Sequence, residues 1–266
     1  MDEYRRSNVA LWDHWTALHA ESASEYYDIA GFKAGASTLR AIELADLGDV
    51  SGKSLLHLQC HFGLDTLSWA RRGARVTGVD FSERAVALAR SLAAELGIAA
   101  RFVHSDVYDL PAALQGTFDI VFTSYGVLYW LPDLRRWAEV IAHFLAPGGT
   151  FCLVEHHPFA AVFRDGDLRA ASPYFHGPAP ERVESYGSYA VSSDEYQGAE
   201  YGWRRRLGEV VDAVAAAGLR LESPREFPYS DFPSLPGLER GADGWWRLAG
   251  KGREMLPILF SLRATK

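Results

Sequence analysis

Short apolar runs alternate with amphipathic runs from residue 52 to residue 157, and this alternation limits the chain to very few folds. The predicted strands are residues 52–60, 74–82, 100–106, 116–124 and 150–157, and the predicted helices are residues 63–74, 82–97 and 133–145. The helix at 82–97 begins after Ser82, a good N-cap residue, and ends at Gly97. Strands and helices that alternate at this spacing form a parallel sheet with right-handed crossovers. The sequence therefore predicts a doubly wound α/β fold.

The segments outside this core extend the fold without adding a second domain. Residues 1–50 begin with an amphipathic helix and are predicted to form an N-terminal helical cap on the core at 51–157. Residues 158–203 are rich in Pro, Gly, Ser and Tyr and far exceed an ordinary loop of about 12–15 residues, which favours a lid or a substrate-binding insertion. A small helical decoration that binds no ligand is the alternative. Residues 204–266 are predicted to hold a closing helix and the last two strands, with 256–264 antiparallel.

Composition excludes several classes of function. The 266-residue chain carries a net charge of −7, so a broad phosphate-binding surface is not expected and nucleic acid is an improbable partner. The first twenty residues lack the apolar core of a secretory signal, and no run reaches the roughly 18 apolar residues of a membrane span. Two cysteines permit neither a disulfide framework nor a multi-cysteine metal site. We therefore expect a cytoplasmic protein without a membrane partner or a bound metal.

A small-molecule site is predicted where the first strand meets the first helix. The stretch HLQCHFG, residues 57–63, occupies this turn, and in doubly wound sheets ligands bind in the crevice at the carboxyl ends of the strands. Asp80 closes the second strand and could accept hydrogen bonds from the two hydroxyls of a ribose. Asp106 closes the third strand and could accept from an adenine amino group. Each of these aspartates could also be no more than a helix cap.

Five stretches together resemble the class I S-adenosylmethionine-dependent methyltransferases: LLHLQCHFGLDTL, VTGVDFS, HSDVYDL, FDIVFTS and LAPGGTFCLVE. The resemblance is strong over residues 50–157 and implies a Rossmann-like sheet of seven strands with an antiparallel last strand. It also implies S-adenosylmethionine as cofactor, with S-adenosylhomocysteine as product, bound to the core at 51–157. The residues that the resemblance assigns to the cofactor are Gln59, Cys60, His61 and Gly63 at the methionine part, Asp80 at the ribose, Asp106 with Phe81 and Val107 at the adenine, Ser124 after the fourth strand, and Trp12 from a segment that covers the cofactor.

The first loop departs from the family pattern in three places. His57 stands where the family usually has an acid, and Gln59 and His61 replace two of its usual glycines, so that only Gly63 remains. Glycine permits positive φ and close backbone approach, so either this loop is less tight or its side chains are needed. Gln59 can accept from the cofactor's ammonium group and donate to its carboxylate. For His57 we favour a hydrogen-bonded core residue over a ligand.

A general base is required only if the acceptor atom is a protonated oxygen or nitrogen. Glu155, His156 and His157 follow the fifth strand at the edge of the crevice, and among them we favour His157 as the catalytic residue, with His156 as the second candidate. Either histidine could instead cap a loop or pack beneath the lid. The predicted acceptor pocket is aromatic. Its proposed lining residues are Tyr26, Tyr125, Tyr129 and Tyr186, whereas Trp15 and Trp69 are expected in the core.

The function that fits these features is transfer of a methyl group from S-adenosylmethionine to an O, N or C atom of a small-molecule acceptor. A protein that binds the cofactor without methylating, for cyclisation or regulation, is the alternative that the unusual first loop motivates. An NAD-dependent oxidoreductase is less favoured because the loop lacks the GxGxxG pattern.

Overall fold

The computed structural model describes residues 2–21, 25–163, 168–191, 197–250 and 254–266. Within these residues seven strands form one sheet. They are β1 (Ser54–Leu58), β2 (Arg75–Asp80), β3 (Ala100–His104), β4 (Phe118–Ser124), β5 (Leu145–His156), β8 (Arg220–Phe227) and β11 (Leu259–Thr265). Each predicted core strand is therefore present, and β5 begins earlier than the sequence pattern indicated because the APGG turn continues the strand pairing.

The order of strands across the sheet is β3-β2-β1-β4-β5-β11-β8. The five strands from β3 to β5 run parallel, and β11 pairs antiparallel with both β5 and β8. The predicted antiparallel last strand is thus confirmed, and it lies inside the sheet rather than at its edge. The order reverses direction between β1 and β4, and the carboxyl ends of these two strands therefore flank the crevice where such sheets bind ligands.

Helices cover both faces of the sheet. They are α1 (Glu3–Glu21), α2 (Ile29–Lys33), α3 (Ala41–Leu47), α4 (Leu64–Arg71), α5 (Glu83–Glu95), α6 (Leu110–Ala113), α7 (Leu134–Phe144) and α8 (Leu207–Ala216). Ser82 caps α5 by accepting a hydrogen bond from the Ala85 N–H at 3.0 Å, as predicted. Trp69 is fully buried in the core between α3, α4 and the sheet, also as predicted. None of the described helices combines the length and apolar character that crossing a bilayer requires.

The insertion after β5 contains a β-hairpin, formed by β6 (Glu181–Tyr186) and β7 (Gln197–Gly202). A second, short hairpin pairs β9 (Leu238–Arg240) with β10 (Trp246–Leu248). The helical decoration considered for the insertion is not what its described residues form, apart from a single 3₁₀ turn at Ala160–Val162. Its alternating polar residues and its turn-rich flanks favour strands instead.

Helix α1 packs on this hairpin. The Asn8 side chain donates to the Tyr201 carbonyl at 2.7 Å and accepts from the Tyr201 N–H at 2.9 Å, so it pairs with β7 as a neighbouring backbone would. Trp15 donates its indole N–H to the Gly187 carbonyl at 2.6 Å. We call α1 and the β6–β7 hairpin together the roof, because they lie over the carboxyl edge of the sheet.

Replacing Trp137 by alanine tests how strongly α7 anchors the sheet. Trp137 is fully buried and meets Phe151 of β5 edge-to-face at 5.7 Å. We expect Trp137→Ala to lower the free energy of unfolding by about 3–5 kcal/mol, because it leaves a cavity under the sheet. Urea denaturation gives this value. Arg135→Ala, exposed on the same helix, should change it by less than about 0.5 kcal/mol, and equal losses in both variants would contradict the assignment.

Candidate functional site

A cavity of about 510 Å³ lies between the carboxyl ends of β1, β2 and β4 and the roof. Most of the residues predicted from sequence for cofactor, acceptor or catalysis line it. They are Trp12, Tyr26, Gln59, Cys60, His61, Gly63, Asp80, Phe81, Asp106, Val107, Ser124, Tyr125, Tyr129 and His156. His157 and Tyr186 are not among its lining residues.

The first loop keeps the backbone shape that glycines normally provide. Gln59 and His61 have φ values of 56° and 50°, and Gly63 has a φ of 78°. A side chain at Gly63 would also place its Cβ 2.6 Å from the ring of Phe102. The left-handed conformation costs a non-glycine residue roughly 1–2 kcal/mol, so this loop is strained at two positions. The loop is therefore as tight as its glycine-rich counterparts, and the side chains at 59 and 61 are the feature that differs.

Both of these side chains are engaged. Gln59 donates through Nε2 to the Val127 carbonyl at 3.2 Å, and its buried Oε1 has no hydrogen-bond partner within the described part of the chain. His61 Nε2 lies 2.9 Å from His19 Nδ1, and His19 Nε2 lies 3.0 Å from the Ser188 hydroxyl. Burial lowers the pKa of His19 to about 3 and holds the pKa of His61 well below its ordinary value, so both rings are neutral. His61 thus links the first loop to the roof.

His57 is a hydrogen-bonded core residue, as predicted. Its Nδ1 lies 2.8 Å from the Thr66 hydroxyl, and the ring is 3% exposed. Burial lowers its pKa to about 4 despite the nearby carboxylate of Asp65. A neutral imidazole at this position fills the place of the family's usual acid without adding a charge beneath the loop.

The two predicted aspartates line one end of the cavity, at the carboxyl ends of β2 and β3. Asp80 accepts the His61 N–H at 2.7 Å and the Ser82 N–H at 2.9 Å. Burial raises its pKa to about 6, although the two N–H groups act in the opposite direction. Asp106 accepts the Tyr108 N–H at 2.9 Å and forms an ion pair with Arg5 at 3.0 Å. Arg5 belongs to α1, so the roof reaches the end of β3.

A histidine–aspartate pair occupies the opposite end of the cavity. His156 Nε2 lies 2.9 Å from Asp231 Oδ1, and Tyr26 donates its hydroxyl proton to Asp231 Oδ2 at 3.0 Å. Burial acts to lower the pKa of His156, but the carboxylates of Asp231 and Glu155 outweigh it and hold that pKa above its ordinary value. Burial likewise acts to raise the pKa of Asp231, and His156 together with Arg40 and Tyr26 lowers it. The side chain of His156 is 27% exposed, so a small molecule in the cavity can reach it.

Glu155, the first member of the EHH triplet, shapes the loop after β4. Its two carboxylate oxygens accept the backbone N–H groups of Gly126, Val127, Leu128 and His156 at 2.5–2.9 Å. Both carboxylate oxygens of Glu155 therefore bind the main chain, each accepting two N–H groups. Glu155 does not line the cavity.

His157 lies away from the cavity because neighbouring residues of a strand face opposite sides. Its Nε2 lies 2.8 Å from a carboxylate oxygen of Glu226, and its Nδ1 accepts the Phe159 N–H at 3.1 Å. The same alternation explains Tyr186, which is 60% exposed at the end of β6, while its neighbour Ser185 and the later Tyr189 line the cavity.

Several lining residues carry no sequence signal that would have assigned them. Asp231 and Phe232 lie in the loop after β8, and Arg5 and Arg40 precede the core. Arg40 donates to the Asp231 carbonyl at 3.4 Å and, within the described residues, has no carboxylate partner. Asp65 accepts from the hydroxyls of Thr38 and Ser124. Trp15 is buried, as expected for the core, yet it also borders the cavity.

Paired substitutions at Gln59 test the strain in the first loop. Gln59→Gly and Gln59→Ala both remove the side chain, but only glycine relieves the positive φ. We therefore expect the free energy of unfolding of the glycine variant to be about 1 kcal/mol higher than that of the alanine variant. The control is the same pair of substitutions at Ser91, which is exposed in α5. In this helix the glycine variant should be less stable than the alanine variant by about 1 kcal/mol. Urea denaturation measures these differences. If the glycine variant were the less stable one at both sites, the first loop would not be strained at Gln59.

Comparisons with known proteins agree with this architecture. Residues 55–149 match the family described as methyltransferase domain. The ubiquinone biosynthesis O-methyltransferase of Cronobacter sakazakii is 35% identical over 102 residues, which are 38% of this chain and 42% of that protein. The enzyme of the same name from Alkalilimnicola ehrlichii is 29% identical over 157 residues, which are 57% of this chain and 63% of that protein. The chain thus spans about half the length of the curated relatives it matches.

A solved structure shares the fold over nearly the whole chain. The S-adenosylmethionine-dependent methyltransferase from Mesorhizobium loti superposes with a TM-score of 0.57 at 21% identity, covering 88% of this chain and 100% of that one. The matched family covers β1 through the turn inside β5, which is the part of the sheet that carries the first loop, Asp80 and Asp106. Residues 55–149 therefore match the methyltransferase domain family, and the chain has the fold of solved S-adenosylmethionine-dependent methyltransferases.

Proposed function

We propose that this protein transfers a methyl group from S-adenosylmethionine to an oxygen atom of a small molecule, with His156 as the general base. The observation that carries the proposal is that the His156–Asp231 pair faces the same cavity as the first loop, Asp80 and Asp106. One end of the cavity therefore presents groups for an adenosyl cofactor, and the other presents a base. The curated relatives are named as O-methyltransferases, which supports oxygen as the acceptor atom.

The adenosine end fits the cofactor. Each oxygen of Asp80 accepts one backbone N–H, which leaves a further lone pair on each for the two ribose hydroxyls. Phe81 and Val107 border the cavity one residue after each aspartate, where they can flank an adenine ring. Arg5 already pairs with Asp106 and lies over the Tyr108 ring at 5.4 Å, so it is not offered to a second anion.

The amino-acid end also fits. The cofactor's carboxylate needs a cation, and of the two arginines that line the cavity only Arg40 lacks a carboxylate partner among the described residues. The ammonium group needs acceptors, which the carboxylate of Asp65 and the orphaned Oε1 of Gln59 supply. An unsatisfied buried amide oxygen costs about 1–3 kcal/mol, and a bound ammonium group removes that cost. Gln59 thus has a use that the usual glycine could not serve.

When bound, S-adenosylmethionine supplies a methyl group that is already electrophilic, so the chain has only to align and deprotonate the acceptor. With Asp231 ionised, His156 donates its Nε2–H to that carboxylate, and Nδ1 is left as the proton acceptor. The acceptor hydroxyl would give its proton to Nδ1 as its oxygen takes the methyl group, while the methyl–sulfur bond breaks and S-adenosylhomocysteine leaves. The imidazolium that results is stabilised by Asp231 at 2.9 Å and by Glu155, whose Oε1 is 3.5 Å from Nδ1.

The roof excludes water from this reaction. Asn8, Trp12 and Trp15 of α1 and Ser185 and Tyr189 around the hairpin all border the cavity from above. Excluding water strengthens the attraction between His156 and Asp231 and prevents solvent from competing for the base. We also propose that the protein acts in the cytoplasm and binds neither nucleic acid nor membrane, a proposal that its net charge of −7 supports.

Calorimetric titration with S-adenosylmethionine and S-adenosylhomocysteine tests the cofactor end. We expect saturable binding of both, and a loss of at least tenfold in affinity for Asp80→Asn, because an amide holds the ribose hydroxyls less strongly than a carboxylate. Asp212→Asn, exposed on α8, should bind as the wild type does. No binding by the wild type, or a preference for NAD, would refute the proposal.

The same titration on Arg40→Gln locates the cofactor's carboxylate. This variant should bind S-adenosylhomocysteine about tenfold or more weakly, since a hydrogen bond to a charged group contributes roughly 1.5–3 kcal/mol. It should bind methylthioadenosine, which has no carboxylate, as tightly as the wild type does. Equal weakening for both compounds would mean that Arg40 acts on the shape of the cavity instead.

The pH dependence of kcat/KM tests the base. In the wild type the acid limb should lie above pH 6.5, because Asp231 and Glu155 raise the pKa of His156. Asp231→Asn removes one of these charges, so the pKa of His156 falls and the acid limb of kcat/KM moves to lower pH. The plateau of kcat/KM also drops by about 10- to 100-fold, because the ring loses its orientation. Asp212→Asn should leave the profile unchanged. A lower plateau with an unmoved limb would show that His156 is not the titrating group.

A further inference from the structure

We infer that the acceptor is a hydroxyl group on a compact aromatic ring, held against Tyr26 and Phe232 with the hydroxyl at His156. This inference rests on the proposed function and narrows its substrate. The features that carry it are the aromatic residues around His156, the strength of the base, and the space that the cavity offers.

Aromatic rings form a continuous wall along the cavity from His156 to the roof. Phe232 meets His156 at 5.0 Å and Tyr26 at 5.9 Å, and Tyr26 meets Tyr189 at 5.6 Å, with interplanar angles of 72–84°. The wall continues from Tyr189 to Trp15 and then to Trp130. We call these residues, with Trp12, the aromatic wall. Most of its pairs are edge-to-face, and an aromatic guest that packs on the wall in this way gains about 0.5–1.5 kcal/mol for each ring pair.

The base suits a phenol better than an aliphatic alcohol. A phenolic hydroxyl has a pKa of about 10, within a few units of an imidazole, so proton transfer to His156 is accessible as the new bond forms. An aliphatic hydroxyl is close to water, whose pKa is about 15.7, so it gives its proton to the same histidine less readily. The polar groups beside His156 include no stronger base or metal cluster among the described residues.

An amine acceptor fits less well. Amines are protonated near neutral pH, so an amine acceptor would bring a positive charge to the imidazole of His156. Asp231 and Glu155 stabilise the protonated form of this ring, which would repel a second cation. Asp231 is also already occupied by His156 and by the Tyr26 hydroxyl. Among the described residues, Asp65 is another carboxylate that lines the cavity, and it is assigned above to the cofactor's ammonium group.

Space limits the acceptor to a small ring. The cavity of about 510 Å³ has to hold the cofactor and the acceptor together, and a single drug-sized ligand commonly fills a pocket of about 300–1,000 Å³. The remaining volume, bounded by Phe232, Tyr26 and Trp130, suits one ring with short substituents.

A matched panel of acceptors tests this inference with radiolabelled S-adenosylmethionine. The panel is phenol, cyclohexanol, benzylamine and a phenol with a long alkyl tail, each offered to the wild type at equal concentration. We expect methylation of phenol at least 100-fold faster than of cyclohexanol or benzylamine, and faster than of the tailed phenol. Methylation of cyclohexanol or benzylamine at a rate equal to phenol's would overturn the inference while leaving the proposed transfer intact. Failure to bind S-adenosylmethionine in the titration above would instead remove the proposed function itself.

Variants of the aromatic wall separate ring recognition from folding. Phe232→Leu keeps an apolar side chain but loses the aromatic contact, so we expect the KM for phenol to rise about 3- to 10-fold with unchanged affinity for S-adenosylhomocysteine. Phe175→Leu is the control, because Phe175 is 74% exposed and outside the cavity, and it should match the wild type. An unchanged KM for phenol in Phe232→Leu would overturn the assignment of the ring to this wall.

Discussion

The buried carboxylate of Glu155 is the contact on which the rest of the site depends. Its two oxygens accept four main-chain N–H groups, three from the loop after β4 and one from His156 itself. A carboxylate that accepts several backbone N–H bonds fixes their positions strongly, because each such bond is charge-assisted. The loop that borders the acceptor end and the histidine that faces it are therefore set by the same side chain. The loop that it holds begins next to Tyr125, whose φ is 41°, and Asp231 then fixes the imidazole of His156 from the other side.

Backbone strain is concentrated around the cavity. The non-glycine residues with positive φ in the described chain are Gln59, His61 and Tyr125, and all three border it. Strain of this kind persists only where the surroundings fix it, and it is often found at functional sites. Each strained residue also contributes a side-chain contact: Gln59 with the Val127 carbonyl, His61 with His19 of the roof, and Tyr125 with Glu43. Gln59 and His61 thus give the first loop side-chain contacts that glycine could not make, and the loop has a strained backbone at both positions.

Much of the fold could be predicted from the sequence because local patterns determine it. The alternation between residues 52 and 157 predicts the parallel strands, and the apolar run near the C-terminus predicts β11. The residues proposed for the cofactor could also be predicted, since Gly63 lies in the loop after β1, Asp80 ends β2 and Asp106 lies just beyond β3. Which histidine faces the cavity depends on the face of β5 that each occupies, and two adjacent positions cannot be told apart without knowing where the strand's buried face lies.

The acceptor end could not be predicted because its residues come from distant segments. Asp231 and Phe232 follow β8, Arg40 precedes the core, and Tyr26 follows α1, and none of them lies in a pattern that differs from ordinary loop composition. Tyr186 and Tyr189 belong to one turn-rich segment, and only the register of the β6–β7 hairpin decides which of them faces inward. Such pairings depend on tertiary packing, which periodicity within one segment does not report.

The pairing of Asn8 with Tyr201 spans 193 residues and sets the order in which the molecule can be completed. Helix α1 is synthesised before the sheet, but its partner strand β7 is made only after the whole parallel part of the sheet. Contacts between such distant segments form late, because closing a long loop costs entropy before it yields any contact. The central sheet can therefore assemble around an open crevice, and the cavity closes as one of the last steps of folding.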